Sequence, residues 1–525
     1  MLKQLFFILI SFTGLSFFAK TPHLVPVPLE YHGAKGYFKA SAAPEKIFVS
    51  PGSQINRDLT SEWVSELGIA NTLTTDSAAA VIRLLLQPGV TGNAEGYTLE
   101  ISPKDITICA DSDKGLIWGL QTLRQLYNGE GRLQSCRIVD YPLYPWRSYL
   151  LDESRHFFGK DAAKKVIDEL SRLKMNTLHW HLTDGAGWRI EIPAYPRLTE
   201  IGSKMDYSHR GITPEAWDSI HPERAYYNTE EIKEIVSYAR DRGIKVVPEI
   251  DMPGHSLAAI TAYPWLGTSS RYSDTPVIGD VLQVSDPEVE QFMRNTLSHV
   301  IDVFDADVVH IGGDEVGFKH WQESDGVKAF MAEQGFEQPW QLQHWFMKRM
   351  VEFLKSKGCT AIGWNEITGH GNDPVAVSGT ITQFWEGDTS KISKAIAQGY
   401  KVVNSAQLFT YLDYPYENGL PLWKTYRHHP SPKAENTDII GFGAQMWTEN
   451  VPDFQRLCYM TFPRLAGLAE CGWSVPANKN YDDFIRRVTP LQQLWRETGV
   501  ISDQPIYSTK EPNAILPEKY REKKK

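Results

Sequence analysis

Two adjacent carboxyl residues, Asp314 and Glu315, are the first candidates for chemistry in this 525-residue chain. They follow the mostly apolar run 308–311, which predicts a buried strand, and Gly312 and Gly313 separate them from it. The glycines permit a turn and leave room for a ligand against the backbone. Paired carboxyls suit acid–base work when their environments separate their pKa values. Taken alone, an adjacent Asp–Glu pair is more typical of a solvated acidic loop than of a site.

The ends of other strand-like runs argue for one common site. Eight such runs finish in acids, histidine or tryptophan, and exposed loops would not favour tryptophan. In chain order the run ends are 152–156, 179–184, 249–255, 314–315, 364–366, 385–386, 411–414 and 447–449.

The elements that must position these ends alternate between strand and helix. Strands are predicted at 147–151, 177–182, 244–250, 307–312, 360–364, 381–385, 401–404 and 441–446, and helices at 160–174, 229–242, 287–304, 341–357, 392–398 and 454–469. Repeated βα units predict an α/β fold with a parallel sheet, and eight of them predict a closed (β/α)8 TIM barrel over residues 143–500. Active sites of such barrels lie at the carboxyl ends of the strands.

The residues before the barrel predict a separate small α/β domain at 22–142. Runs 95–101 and 105–110 alternate like strands, and 115–127 has apolar residues at helical spacing. Two prolines in 140–145 mark the boundary. Residues 1–19 are typical of a secretory signal peptide, so we expect a secreted or periplasmic protein without a membrane span after its removal. Residues 501–525 are expected to form a tail.

The composition favours a sugar ligand over a nucleic acid. The net charge of −10 argues against a nucleic-acid partner. The 16 Trp and 23 Tyr supply aromatic faces that suit sugar rings. The five Cys are scattered and odd in number, which predicts neither a disulfide framework nor a structural zinc.

Five motifs occur together in an order and spacing typical of a known family. They are His-Ile-Gly-Gly-Asp-Glu (310–315), His-Trp-His-Leu-Thr-Asp (179–184), Glu-Ile-Asp-Met-Pro-Gly-His (249–255), Leu-Asp-Glu-Ser-Arg-His (151–156) and Trp-Thr-Glu (447–449). With these motifs, residues 22 to about 500 resemble the family 20 glycoside hydrolases, the β-N-acetylhexosaminidases. The small domain also resembles the one that this family places before its barrel.

The resemblance implies an exo-acting, retaining enzyme that removes terminal β-linked GlcNAc or GalNAc by substrate-assisted catalysis. The acetamido oxygen of the substrate would attack its own anomeric carbon and form an oxazolinium ion. Glu315 would be the general acid and then the base, and Asp314 would orient the acetamido N–H and stabilise positive charge. These roles require a raised pKa at Glu315 and an ionised Asp314.

The resemblance also implies which residues bind the substrate, an oligosaccharide or glycoconjugate, without a cofactor. Arg147 would bind the C3 and C4 hydroxyls, and Asp413 and Glu449 the C4 and C6 hydroxyls. Tyr411 would hydrogen-bond the acetamido oxygen. The pocket around the acetyl group and ring would be lined by Trp364, Trp385 and Trp447, and Asp184 and His255 would be a pair that supports Glu315.

One departure from the family pattern lies just after Asp184. Gly185 and Ala186 stand where the family usually has Asp and Gln. Because Asp184 is retained, we expect this difference to affect the local loop and contacts beyond the first sugar rather than the chemistry. Ser148 also replaces a glycine common in the family.

Two other functions fit parts of the same residue set. A metal-dependent barrel hydrolase could use His179, His181, His255, His310 and Asp314. No metal is expected, because His179 and His181 flank a tryptophan within one strand and no further ligand follows at a telling spacing. A catalytically silent sugar-binding protein would keep the aromatic pocket but would not need the Asp314–Glu315 pair.

Overall fold

The computed structural model of this chain describes residues 22–41, 43–127, 129, 131–204, 224–268, 279–369, 379–417, 419–431 and 436–501. The predicted signal peptide and residues 502–525 of the predicted tail lie outside this range. Among the described helices, none combines the length and apolar character needed to cross a membrane.

The N-terminal part is a seven-stranded sheet with the strand order β1-β7-β5-β6-β4-β2-β3. Its strands are β1 (Glu30–Lys39), β2 (Glu45–Val49), β3 (Asn71–Thr74), β4 (Ile82–Leu86), β5 (Tyr97–Ile101), β6 (Ile106–Ala110) and β7 (Arg132–Asp140). Helices Arg57–Ser65 and Asp113–Leu126 contact this sheet. The second helix buries Leu116, Trp118 and Leu120, which accounts for the apolar spacing seen in the sequence. The predicted small α/β domain is confirmed.

The remaining strands build the barrel and a short ribbon. They are β8 (Trp146–Asp152), β9 (Thr177–His181), β10 (Thr183–Asp184), β11 (Gly187–Trp188), β12 (Lys245–Met252), β13 (Val308–Gly312), β14 (Thr360–Trp364), β15 (Ile381–Phe384), β16 (Lys401–Asn404) and β17 (Ile439–Met446). Eight of them close a barrel of parallel strands in the order β8-β9-β12-β13-β14-β15-β16-β17, while β10 and β11 pair with each other. The predicted TIM barrel is confirmed.

Helices cover the outside of the barrel and follow from local sequence signals. The main ones are Lys160–Arg172, Thr229–Asp241, Pro287–Phe304, Lys319–Glu323, Asp325–Gln334, Pro339–Ser356, Ser390–Ala397, Phe454–Thr461, Arg464–Trp473 and Tyr481–Glu497, with shorter ones at Arg197–Glu200, Leu257–Ala262, Gln407–Thr410 and Leu422–Tyr426. Asn228 caps one of them and forms a reciprocal capping box with Glu231. The single helix predicted at 454–469 is instead two helices, because Pro463 lacks the N–H that a continuous helix needs.

The barrel interior changes from apolar to polar towards its carboxyl end. Six strands contribute to a separate apolar cluster of Trp146, Val247, Val308, Ile362, Ile381 and Val403. Two residues further along β12 and β13, and therefore on the same face, lie Glu249 and His310. The apolar layer thus supports a polar one directly beneath the mouth.

A buried polar network joins the small domain to the barrel. Arg147 Nη2 lies 2.6 Å from Glu95 Oε2, and the Glu95 carboxylate also accepts Trp118 Nε1–H at 2.9 Å. Lys174 Nζ lies 2.8 Å from Asp140 Oδ2. Buried charges are tolerated when they are paired in this way, so the two parts are fixed to each other at the amino end of the barrel.

Candidate active site

The carboxyl ends of the barrel strands surround a cavity of about 360 Å³. Its lining residues are Arg155, His255, Asp314, Glu315, Trp364, Trp385, Gln407, Tyr411, Asp413, Tyr414, Trp447, Glu449 and Asn450. A larger cavity of about 760 Å³ lies at the opposite end of the barrel, against the small domain. The chemistry-bearing residues therefore gather in the smaller cavity, where a barrel is expected to have its active site.

The turn after β13 places the two central carboxyls at the mouth. Gly312 and Gly313 have φ of 64° and 102°, and a side chain at 312 would overlap the Asp251 carboxylate. Both positions therefore require glycine, as the sequence suggested. Glu315 is itself left-handed, with φ of 47°. Such a conformation in a non-glycine residue is strained, and strain of this kind is concentrated at functional sites.

His255 connects the two carboxyls to Asp184. Its Nε2 lies 3.6 Å from both Asp314 Oδ2 and Glu315 Oε2, and its Nδ1 lies 3.5 Å from Asp184 Oδ2. Burial alone would lower the pKa of His255, but Asp184 and the two other carboxyls outweigh it and raise the pKa well above its usual value. A cationic imidazolium therefore lies between three carboxylates. Asp184 and His255 occupy the positions expected of a pair that supports Glu315.

The protonation preferences of Asp314 and Glu315 are the reverse of those expected. Burial raises the pKa of Asp314 to about 6, since its side chain is only 13% exposed. The pKa of Glu315 is lowered, chiefly by the nearby His255, and its side chain is 59% exposed. The expectation of a raised pKa at Glu315 beside a readily ionised Asp314 is wrong for this arrangement, because exposure and the contact with His255 dominate.

Arg147 does not reach the cavity, so its expected role in substrate binding is wrong. It lies near the start of β8, fully buried, and its Nε and Nη1 donate to the carbonyls of Lys174 and Tyr144. Arg155 lies in the cavity instead, after the carboxyl end of β8. The error follows from strand direction, because the residues that reach the mouth lie at or after the carboxyl end of a barrel strand.

Arg155 is held in place by acids on three sides. Its Nη2 lies 2.7 Å from Asp184 Oδ2 and 3.7 Å from Glu449 Oε1, and its Nη1 donates to Asp152 Oδ2 at 3.2 Å. The guanidinium carbon also lies 5.0 Å from the centroid of the Trp447 ring. A planar cation fixed in this way can present its remaining N–H groups to ligand hydroxyls.

The same substitution at the two arginines should separate their roles. Arg155→Lys keeps the charge but loses the planar fork, so we expect KM to rise about ten-fold. Arg147→Lys should leave KM unchanged and lower the free energy of unfolding by about 2 kcal/mol, because buried hydrogen bonds at the domain junction are lost. Steady-state kinetics and denaturant unfolding measure both quantities; a raised KM in Arg147→Lys would contradict this assignment.

Aromatic rings form one wall of the cavity. Trp364 and Trp447 have ring centroids 5.7 Å apart, and Trp385 stacks on Tyr411 at 6.2 Å and 21°. Tyr411 in turn lies 6.4 Å from Trp447. The structure thus brings the three predicted tryptophans and Tyr411 together, with flat faces suited to a small acyl group and a sugar ring.

Two further predicted residues, Asp413 and Glu449, lie in the cavity lining. Burial and the charge of Glu449 raise the pKa of Asp413 to about 7. Burial also raises the pKa of Glu449, although Arg155 opposes this. Carboxyls with raised pKa values are partly desolvated, so they gain by bonding to ligand hydroxyls.

Glu249 is a central residue that the sequence did not single out for a role. Its carboxylate is fully buried, lies within 2.9 Å of ring nitrogens of His179 and His310, and is 2.6 Å from His181 Nδ1. It also accepts Trp364 Nε1–H at 2.9 Å. Burial alone would raise the pKa of Glu249, but the histidines hold it well below its usual value. The sequence signal that could have pointed to Glu249 was its position two residues before Asp251 on the same strand.

The five residues considered as metal ligands do not form one cluster. Among the described residues, three groups could hold an ion by proximity: His179, Glu249 and His310; His181, Asp184 and Asp251; and Asp251, His255 and Asp314. The histidines are thus divided between groups, and Glu249 already bonds to imidazoles and an indole. This donor arrangement matches a hydrogen-bond network better than one catalytic metal site with an open position.

Comparisons with known proteins agree on one family. Residues 144–476 match the family described as "Glycosyl hydrolase family 20, catalytic domain", and residues 21–141 match "Glycosyl hydrolase family 20, domain 2". The beta-hexosaminidase of Porphyromonas gingivalis is 33% identical over 422 residues, which are 75% of this chain and 52% of that protein. The chain therefore spans about half the length of this relative.

Solved structures with similar folds cover nearly the whole chain. The beta-N-acetylhexosaminidase from Bacteroides fragilis superposes with a TM-score of 0.82 at 30% identity, over 94% of this chain and 99% of that one. The exo beta-N-acetylglucosaminidase from Vibrio harveyi, solved with N-acetylglucosamine, has a TM-score of 0.82 at 27% identity, over 92% of this chain and 79% of that one.

Proposed function

This chain belongs to glycosyl hydrolase family 20, and on that basis we propose that it is an exo-acting, retaining β-N-acetylhexosaminidase that works by substrate-assisted catalysis. The observation that carries the proposal is the Asp314–Glu315 pair at the mouth of the barrel, facing a cavity with an aromatic wall. The cavity of about 360 Å³ suits a single terminal sugar. The names of the similar proteins support a substrate that carries an N-acetylamino sugar.

Asp314 holds the acetamido group for attack. In the ionised state it accepts the acetamido N–H, which increases the negative charge on the acetamido oxygen. That oxygen attacks the anomeric carbon and forms the oxazolinium ion, whose positive charge the carboxylate stabilises. Tyr411 donates to the same oxygen, and the tryptophan wall limits the orientations that the acetyl group can adopt.

Glu315 transfers the proton. A sugar seated in the cavity removes water from around Glu315, and desolvation raises the pKa of a carboxyl. The protonated group then donates to the leaving oxygen, and the resulting carboxylate activates water for the second step. His255 lies between Glu315 and Asp314 and stabilises whichever of them is ionised.

Arg155, Glu449 and Asp413 bind the ring hydroxyls. Arg155 takes the role that was expected of Arg147, because it is the arginine in the cavity. The two carboxyls lie beside it and accept hydroxyl hydrogen bonds. The barrel is closed beneath Arg155, Glu449 and Asp413, so a glycan chain cannot continue past the bound sugar. This favours a terminal sugar and therefore exo action.

A hydrolysis screen tests the proposal. We expect release of p-nitrophenol from N-acetyl-β-D-glucosaminide and N-acetyl-β-D-galactosaminide donors, a β-configured first product by NMR, and activity that survives a chelator. Release of disaccharides only, or inversion at the anomeric carbon, would contradict it. Loss of activity with the chelator and its return with a divalent cation would favour the metal-dependent hydrolase.

We propose that residues 1–19 direct export of the chain, on the strength of Lys3 and the apolar run that follows. The same assay on fractionated cells should find the activity in the periplasm or medium. Retention in the cytoplasm would contradict this proposal.

A further inference from the structure

Glu366 is a half-buried acid beside the cavity that has no part in the proposed mechanism. It lies in the short turn Asn365–Thr368 that follows β14. Both carboxylate oxygens accept the Trp385 indole N–H, each at 3.2 Å. Of the described residues, Trp385 lines the cavity and Glu366 does not. The carboxyl therefore holds the ring by its N–H edge without being part of the cavity lining.

The neighbouring residue holds the backbone of the same tryptophan. Asn365 Oδ1 accepts the backbone N–H of Trp385 at 3.0 Å and that of Glu386 at 3.3 Å. Asn365 is buried. Two consecutive side chains after β14 thus fix the main chain and the ring of one residue after β15. Phe384 ends that strand, so no regular strand hydrogen bonding holds Trp385.

We propose that Glu366 is a positioning residue that fixes the Trp385 ring in the wall of the acyl pocket. The inference rests on the proposed function in one respect, that Trp385 faces the acyl group of the substrate. The contact itself is independent of any substrate. Trp385 stacks on Tyr411, which is the proposed donor to the acetamido oxygen. A displaced indole would therefore also disturb Tyr411.

The electrostatics around Glu366 agree with this role. Burial, followed by the charge of Asp314, raises the pKa of Glu366 to about 7. The titratable groups that face it are Asp314 after β13 and the exposed Glu386 after β15. Glu366 therefore loses its proton as the pH rises through about 7. The indole N–H therefore changes from a neutral to a charged acceptor near neutral pH, and charge-assisted bonds are the stronger ones.

The first test is spectroscopic and needs no activity. The indole N–H resonance of Trp385, assigned by its loss in Trp385→Phe, should shift with pH with a midpoint near 7. Glu366→Gln keeps an oxygen acceptor but cannot ionise, so this shift should disappear. Asp314→Asn removes the neighbouring charge, so the midpoint should move to lower pH. An unchanged titration in Glu366→Gln would overturn the proposal.

The second test is kinetic and uses p-nitrophenyl N-acetyl-β-D-glucosaminide. Glu366→Ala should raise KM about ten-fold while kcat changes by less than about three-fold, as expected for loss of one hydrogen bond to a charged group. Glu366→Gln should restore most of the KM. Glu386→Gln removes the adjacent exposed carboxyl and should leave both constants unchanged.

A double-mutant cycle separates positioning from general loss of structure. In a Trp385→Phe background the donor is absent, so Glu366→Ala should have no further effect on KM. A full additive effect would show that Glu366 acts through something other than the indole and would overturn the proposal. If the parent protein did not hydrolyse the substrate, the proposed function would fail while the indole titration still decided the contact.

Discussion

The Glu315→Gln variant is expected to lose roughly 10²- to 10⁴-fold in kcat for substrates with poor leaving groups, the range that general acid catalysis supplies. The amide has nearly the shape of the acid but cannot donate the proton that the leaving oxygen needs. KM should stay within a few-fold, because the residues that bind the ring hydroxyls are untouched. Steady-state kinetics on N,N′-diacetylchitobiose measure both constants.

The leaving group provides the diagnostic control. With a 2,4-dinitrophenyl leaving group little protonation is needed, so formation of the oxazolinium ion should be far less impaired and the later step, which needs the base, should limit turnover. Glu323→Gln, a 62% exposed acid on the next short helix, should match the parent. If turnover of chitobiose were unchanged in Glu315→Gln, Glu315 would not be the acid.

The environment of Glu315 explains why the sequence predicted its position but not its pKa. A strand followed by two glycines predicts a turn at the barrel mouth, and the residue types alone are enough for that prediction. The pKa depends on exposure and on the contact with His255, whose ring comes from a loop 60 residues earlier in the chain. Sequence spacing carries no information on such distances.

The two arginines show a different kind of limit. Both lie in one stretch of sequence, and the family resemblance assigned hydroxyl binding to Arg147, with Arg155 expected to be a polar group of the scaffold. Strand direction decides it, because Arg147 begins β8 and Arg155 follows its end. Eight extended residues would span roughly 26 Å, which is enough to separate the two ends of the barrel. The rule that barrel sites lie at carboxyl ends was sufficient to choose Arg155.

Glu249 shows what a strand pattern cannot indicate. Alternation along a strand indicates only which face of the sheet a residue lies on. The contacts of the Glu249 carboxylate with three imidazoles and one indole depend on side chains from β9, β13 and β14. Closure of the barrel brings those strands together, and no local signal encodes the resulting contacts.

Asp314→Asn is expected to lower kcat/KM for N-acetylated substrates by roughly 10²- to 10³-fold, comparable with removal of one preorganised electrostatic group. The neutral amide cannot stabilise the oxazolinium charge, and its N–H₂ opposes the acetamido N–H. Asp325→Asn, at a side chain 96% exposed, is the matched control and should behave as the parent.

The pH dependence of activity tests whether Asp314 acts in its ionised form. The pKa of Asp314 is raised to about 6, so the group is neutral below that pH and ionised above it. Activity requires the ionised form, and therefore kcat of the parent, measured with sugar bound and Glu315 desolvated, should fall as the pH drops through about 6. In Asp314→Asn this acid limb should vanish, since nothing at position 314 titrates. His255 stays protonated across the same interval, because its pKa is raised well above its usual value, and so does not account for the limb.

Substrates without the acetamido group test whether the substrate's own amide is the nucleophile. If the substrate's own amide is the nucleophile, the parent should cleave a p-nitrophenyl β-D-glucoside orders of magnitude more slowly than its N-acetylated counterpart, and Asp314→Asn should add little to that deficit. Equal rates on the two sugars would mean that a protein group attacks the anomeric carbon. Asp314, the group of lower exposure in the pair, would then be the candidate nucleophile, and substrate assistance would be excluded.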